Sequence, residues 1–85
     1  HTTSFVAFFS SSPTLKAAFV TSKKVGNAVN RNKARRRMRA LFASYEKQLL
    51  IGNYIFVAKI ELHDKNFLQL KKDFDFALKR LEVLQ

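Results

Sequence analysis

The densest chemistry in this chain lies between Lys23 and Arg39, where eight Lys and Arg side chains fall within seventeen residues and no acid interrupts them. Such groups bind phosphate oxygens, Arg as a planar bidentate fork and Lys as a compact point charge. The residues that other chemistries require are absent or scattered. There is no Cys, which removes disulfide frameworks and thiolate zinc sites together. His1 and His63 lack metal-ligand spacing and read as incidental. Asp73 and Asp75 do not share a helix face, and Glu61 and Asp64 sit beside Lys59 and Lys65. A nuclease site built from side chains needs clustered carboxylates to hold its metal, and the first acid in the chain is Glu46. Neither a catalytic nor a metal-ligating set is expected in this chain.

The charge is one-sided. Residues 1–45 contain nine Lys or Arg and no Asp or Glu, whereas residues 46–85 contain seven Lys or Arg and six acids. The net charge of +10 is therefore concentrated in the first half. A field of one sign attracts polyanions: nucleic acid or, less often, an anionic membrane surface. Surfaces that are merely solvated mix their signs.

At 85 residues there is room for one small domain. An apolar content of 47%, with nine Phe, marks it as globular. No n-region and apolar h-region open the chain, and no apolar run approaches the ~18 residues of a membrane helix. The reading is soluble and cytoplasmic. A chain that starts at His1, without Met, reads as a fragment or a processed form.

Periodicity then places the elements. "SFVAFFS", Ser4 to Ser10, reads as a strand closed by the turn residues "SSSPT". "KAAFVTS", Lys16 to Ser22, reads as a second strand, and the two form a plausible hairpin. After Gly26 a long helix starts, capped by Asn27 or Asn30. Its apolar positions Ala34, Met38, Leu41, Phe42, Tyr45 and Leu49 make a helical stripe, and Gly52 and Asn53 end it. "YIFVAKIEL", Tyr54 to Leu62, reads as a central strand buried on both faces. Asp64 or Asn66 caps a last helix with Phe67, Leu70, Phe74, Leu78 and Leu81 as its buried stripe. The order is β-β-α-β-α, a small mixed sheet in a two-layer α+β or α/β sandwich.

On the long helix Arg31, Arg35 and Arg39 recur every four residues, with Asn32 and Arg36 beside them. Together they form an Arg-rich ridge flanking the apolar stripe, while Lys33 and Arg37 fall on the far side. The first turn of the helix adds free N–H groups and the positive end of the helix dipole.

"SKKVGNAVNRNKARRRMRALF", Ser22 to Phe42, resembles the signature of the bacterial ribonuclease P protein family. That signature has a Lys-Lys pair, here Lys23 and Lys24, before Gly26, Asn27, Ala28 and Val29. Arg31 and Asn32 occupy the first two places of its Arg-Asn-Arg element, and Lys33 stands where Arg is usual. Arg35, Arg36 and Arg39 fill the Lys-Arg-x-x-Arg places. Ala40 stands where the family often has an acid, so an ion pair made there is lost. The strands flanking the motif also agree, and the resemblance covers essentially the whole chain. The family begins with a further helix and a short aromatic-bearing segment that are absent here, which implies an N-terminally truncated domain over residues 1–85.

The resemblance implies a fold with a left-handed crossover around the motif helix, against the right-handed preference of β-α-β units. It implies a partnership with a catalytic RNA that removes the 5′ leader of precursor tRNA, with Mg2+ serving the RNA-catalysed reaction and no cofactor held by the chain. Lys23, Lys24, Asn27, Arg31, Asn32, Lys33, Arg35, Arg36 and Arg39 would face RNA, and sulfate or phosphate could occupy the same ridge. Asn27 also suits a helix cap, and Gly26 a turn. Phe8 falls at an aromatic position of the family's leader cleft, where a base could stack. Strand alternation puts Phe5 and Phe9 on the opposite face, and they and Phe19 read as core. Arg37 lies off the ridge and is assigned neither way. The competing readings are a basic ribosomal protein, a DNA-binding domain and a self-sufficient endoribonuclease. A helix-turn-helix would need a short helix before the basic one, where strands stand. No membrane and no DNA partner is expected.

Overall fold

The computed structural model describes residue 2 and residues 4–84; His1 lies outside them. Three strands, β1 (Phe5–Ser11), β2 (Lys16–Val20) and β3 (Gly52–Ala58), and two helices, α1 (Ala28–Tyr45) and α2 (Phe67–Arg80), form the domain. Short 3-10 turns at Lys23–Val25, Glu46–Gln48 and Ile60–Asp64 connect them. The order along the chain is β-β-α-β-α.

β1 and β2 do not pair with each other as a hairpin. β3 lies between them, antiparallel to β1 and parallel to β2. The most apolar strand takes the centre because only there are both of its edges covered by neighbouring backbone. The connection between β1 and β2 spans the start of β3, where Gly52 pairs with Ser11. A Cβ on Gly52 would meet the Phe9 ring at 2.5 Å and the Ser10 carbonyl oxygen at 2.6 Å, so the close approach of β1 leaves no room for a side chain.

Both helices cover the same face of the sheet. β3 is therefore buried on one face only, contrary to the reading from its continuous apolar run. Tyr54, Phe56 and Ala58 point into the core, while Ile55 on the other face is 41% exposed. β3 also ends at Ala58, four residues short of the sequence expectation, and Ile60–Asp64 turn into a 3-10 segment pinned by the buried Leu62.

Phe56 is the centre of the core. Its ring lies 5.6 Å from Phe5 of β1, 5.6 Å from Phe19 of β2, 5.7 Å from Phe42 of α1 and 5.0 Å from Phe74 of α2. α1 contributes the stripe Ala34, Met38, Leu41, Phe42 and Tyr45. It stops at Tyr45, short of Gly52, and Leu49 is buried from an extended conformation instead. There the Leu50 N–H donates to the Val83 carbonyl (2.9 Å), and Leu49 bridges Leu84, so the C-terminal segment replaces the missing helical turn. α2 starts with a full capping box between Asn66 and Gln69. It buries Leu70, Phe74, Ala77 and Leu78, but Phe67 is 61% exposed. A Cβ leans toward the N-terminus of its helix, so a first-turn side chain overhangs the packed layer.

Between the helices, the Tyr45 hydroxyl donates to Asp75, and Lys71 donates to Tyr45 at 3.3 Å. Burial first, then the Asp75 contact, holds the Tyr45 phenol above its ordinary pKa. Phe56→Ala should cost about 3–5 kcal/mol, the range for a truncated core aromatic. Against the ~5–15 kcal/mol stability of a typical domain, urea melts should find this variant largely unfolded or at the edge of unfolding. A loss under 1 kcal/mol would show that the aromatic cluster is not the anchor of the fold.

Candidate nucleic-acid interface

The chain enters the basic region from the end of β2. The Ser22 hydroxyl accepts from the Lys24 N–H (3.3 Å), and the Gly26 N–H donates to the Lys23 carbonyl (3.2 Å), closing the turn that carries Lys23 and Lys24. Gly26 has a φ of 136°, which a side chain would strain, and a Cβ there would lie 2.9 Å from Asn30 Cβ. Asn27 caps α1, its side-chain oxygen accepting from the Asn30 N–H at 2.9 Å. Both lysines are exposed.

Along α1 the ridge faces the outer edge of β2. Arg31 donates to the Gly26 carbonyl (3.2 Å), and Arg35 donates to the Thr21 hydroxyl (2.7 Å) and to the Asn32 side-chain oxygen. Arg39 lies over the Phe19 ring, 5.5 Å from its centroid. Arg31 and Arg35 are half-buried; Asn32, Lys33, Arg36 and Arg39 are exposed. Val29, Asn32 and Arg36 line a shallow depression of about 450 Å³ on the solvent side. The structure thus brings Arg31, Asn32, Arg35, Arg36 and Arg39 onto one flank next to the lysine turn, with Lys33 turned away. Among the described residues the only ion pair is Lys71–Asp75, at 3.7 Å, so none of the nine cations of the first half is paired with a carboxylate.

Arg37 resolves differently. It donates to the Leu62 carbonyl (3.0 Å) and to the Lys65 carbonyl, on the flank away from the ridge. His63 is not incidental either, since its Nε2 lies 2.8 Å from the Val25 carbonyl oxygen. Neither role had a signal in the sequence, because both partners are backbone groups distant along the chain.

The open face of the sheet is a second surface. Register places Phe8, Ile55 and Ala18 in one row, Val6, Val57 and Val20 in the next, and Ser10, Asn53 and Lys16 in a third. Phe8 is 52% exposed. Depressions of about 400 and 250 Å³ lie on this face, the first with Lys16, Ala18, Asn53 and Ile55 in its lining, the second with Phe8, Asn53 and Ile55. Phe5, Phe9 and Phe19 lie on the other face, in or against the core. Lys16 also stands on this face, where its two-residue spacing from Ala18 and Val20 puts it. Among the described residues no three His, Asp or Glu side chains are grouped to hold a metal, and no helix is long and apolar enough to cross a membrane.

The chain is thus a three-stranded α+β domain whose arginine ridge, beside an open apolar sheet face, sets up a field of one sign of the kind that attracts polyanions. Comparison with known proteins narrows this: residues 1–82 match the family model for Ribonuclease P, and the chain belongs to that family. It is 42% identical over 82 residues to a ribonuclease P protein component from Nitratiruptor sp., covering 96% of this chain and 75% of that one. It is 42% identical over 72 residues to the one from Streptomyces avermitilis, covering 84% of this chain and 58% of the relative. Among solved structures, the Staphylococcus aureus RNase P protein superposes with a TM-score of 0.87 at 27% identity, over 100% of this chain and 81% of that chain. A mutant of a Staphylococcus aureus RNase P protein, described as defective in mRNA degradation activity, superposes at 0.89 with 28% identity, over 99% of this chain and 74% of that chain. The mixed three-stranded sheet with two helices is the fold of these relatives.

If the ridge and lysine turn hold discrete phosphates, sulfate should raise the Tm more than chloride at matched ionic strength, because screening alone makes the two salts equivalent. A site saturated a hundredfold over its Kd stabilises the fold by about 2.7 kcal/mol. Circular dichroism melts in the two salts decide it, and equal effects would mean diffuse charge.

Proposed function

We propose that this chain binds the catalytic RNA of ribonuclease P through the lysine turn and the α1 ridge, and binds the 5′ leader of precursor tRNA on its open sheet face. The observation that carries the reading is an unpaired arginine ridge at the positions that match the family motif. Phosphate contacts of this kind give affinity and orientation without sequence information. The exposed Phe8 ring, which lines one of the depressions, offers a stacking platform of the sort that accepts single-stranded bases irrespective of sequence. Cleavage of the leader is assigned to the RNA subunit with its Mg2+, and the chain supplies binding and orientation. The compartment in this reading is the cytoplasm, and neither DNA nor a membrane is a partner.

Reconstitution tests it. The chain mixed with a ribonuclease P RNA should support 5′ cleavage of precursor tRNA at low magnesium. The metal-repurified chain alone should leave precursor tRNA intact. Specific cleavage that survives removal of all RNA would favour the third competing reading, an endoribonuclease in its own right.

Two sets of variants divide the surfaces. With roughly five to seven phosphates neutralised, log K should fall with log salt at a slope of about −4 to −6. Arg36→Ala should make it shallower by about one, and Lys72→Ala should not. Phe8→Ala should weaken binding of leader-bearing substrates by about 1–3 kcal/mol and leave assembly with the RNA subunit nearly unchanged. A loss of folding stability of ~3 kcal/mol or more, read from urea melts, would instead mark Phe8 as core.

A further inference from the structure

The carbonyl of Val25 sits at the joint between the lysine turn and α1. Its peptide plane is shared with the Gly26 N–H, which closes the turn onto the Lys23 carbonyl at 3.2 Å. The next bond rotates to the positive φ of Gly26. Whatever holds this peptide sets the direction in which Lys23 and Lys24 leave the backbone.

His63 is placed to hold it. A carbonyl oxygen only accepts, so the 2.8 Å contact requires Nε2 to carry the proton and donate. The residues joined are 38 apart in sequence, so the contact ties the turn to a different part of the fold. The 3-10 turn that carries His63 is itself fixed twice. Leu62 is fully buried beneath it, and Arg37 reaches across from α1 to the carbonyls of Leu62 and Lys65 on either side of His63.

We propose that His63, held in place by Arg37, is a positioning residue for RNA binding: it fixes the Val25–Gly26 peptide so that Lys23 and Lys24 are presented to phosphates in one orientation. The inference rests on the RNA-binding reading above and adds two residues outside its ridge. Lysine side chains are mobile and lose entropy when they bind, so the backbone beneath them is the part the fold can order beforehand. Arg37 thus contributes through neutral backbone acceptors on the far flank of α1, not through phosphate.

The test uses the whole chain with a fluorescently labelled ribonuclease P RNA, and amide hydrogen exchange on the free protein. Circular dichroism melts first establish that each variant is folded. His63→Ala should weaken RNA binding about fivefold, the scale of one lost hydrogen bond. His63→Gln, whose amide N–H can reach the same carbonyl, should bind within about twofold of the native chain. In a Lys23→Ala, Lys24→Ala background, His63→Ala should have almost no further effect, because the groups it orients are gone. The Gly26 amide should exchange faster in His63→Ala and in Arg37→Met, and at the native rate in His63→Gln.

An equal loss in both backgrounds, a glutamine variant no better than alanine, or an unchanged Gly26 exchange rate would overturn the inference. A native chain that does not bind the RNA at all sinks the RNA-binding reading itself. Native binding that His63→Ala leaves unaltered sinks this inference alone.

Discussion

Every element of this domain converges on one aromatic ring. Phe56 of β3 touches an aromatic from β1, β2, α1 and α2. A chain of this size buries only about 60–65% of its unfolded surface, so it cannot spread its stability over several independent clusters. Concentrating the aromatics of four elements on one central ring makes their packing mutually dependent. It also forces both helices onto the face where Phe56 points. The open face of the sheet follows from that choice, since no third helix is present among the described residues to cover it.

The same concentration explains how α1 tolerates its charge. Like charges at i and i+4 on an exposed helix repel by a few tenths of a kcal/mol per pair. Arg31, Arg35 and Arg39 form such a series with no acid beside them. What offsets this repulsion is the stripe of Ala34, Met38, Leu41, Phe42 and Tyr45 on the adjacent sector, all buried. Burial of a Leu or Phe side chain contributes about 1.5–3 kcal/mol, several times the repulsion of one such pair. The helix is thus held by its core face and is free to carry a surface that would not stabilise it.

Much of this was legible in the sequence, for identifiable reasons. The stripe of α1 and the ridge beside it are local, periodic features, and the cap is legible as one of two residues, Asn27 or Asn30, of which Asn27 is the one used. Strand alternation separated Phe8 from Phe5 and Phe9 because the period of a strand is two. The sheet order was not legible, since a four-residue connection between two strands suggests a hairpin whether or not a third strand is inserted later in the chain. Nor was the one-sided burial of β3. Tyr54 to Ala58 is apolar at every position, and a run of that kind does not say which face meets a helix. The end of α1 is not legible either, because Leu49 keeps the helical spacing yet is buried through an extended pairing with the C-terminal segment. Arg37 and His63 escaped because their partners are carbonyls, which carry no residue identity.

The choice of those partners follows one rule across the basic half. Arg31 is oriented by a carbonyl, Arg35 by a hydroxyl and an amide oxygen, Arg37 by two carbonyls and Arg39 by an aromatic face. None of these acceptors is charged. A carboxylate would hold an exposed guanidinium hardly more firmly, since a surface ion pair contributes only about 0–1 kcal/mol net, no more than a hydrogen bond from a charged donor. It would cancel the charge, and a phosphate would then have to displace it. Neutral acceptors give direction while leaving the full positive charge available, and a guanidinium with five donors can spend one or two on the fold and still offer a fork to phosphate. The absence of any acid before Glu46 is the sequence-level trace of this arrangement. The first half of the chain is built so that its cations are aimed but not neutralised, and the acids are confined to the half that carries α2.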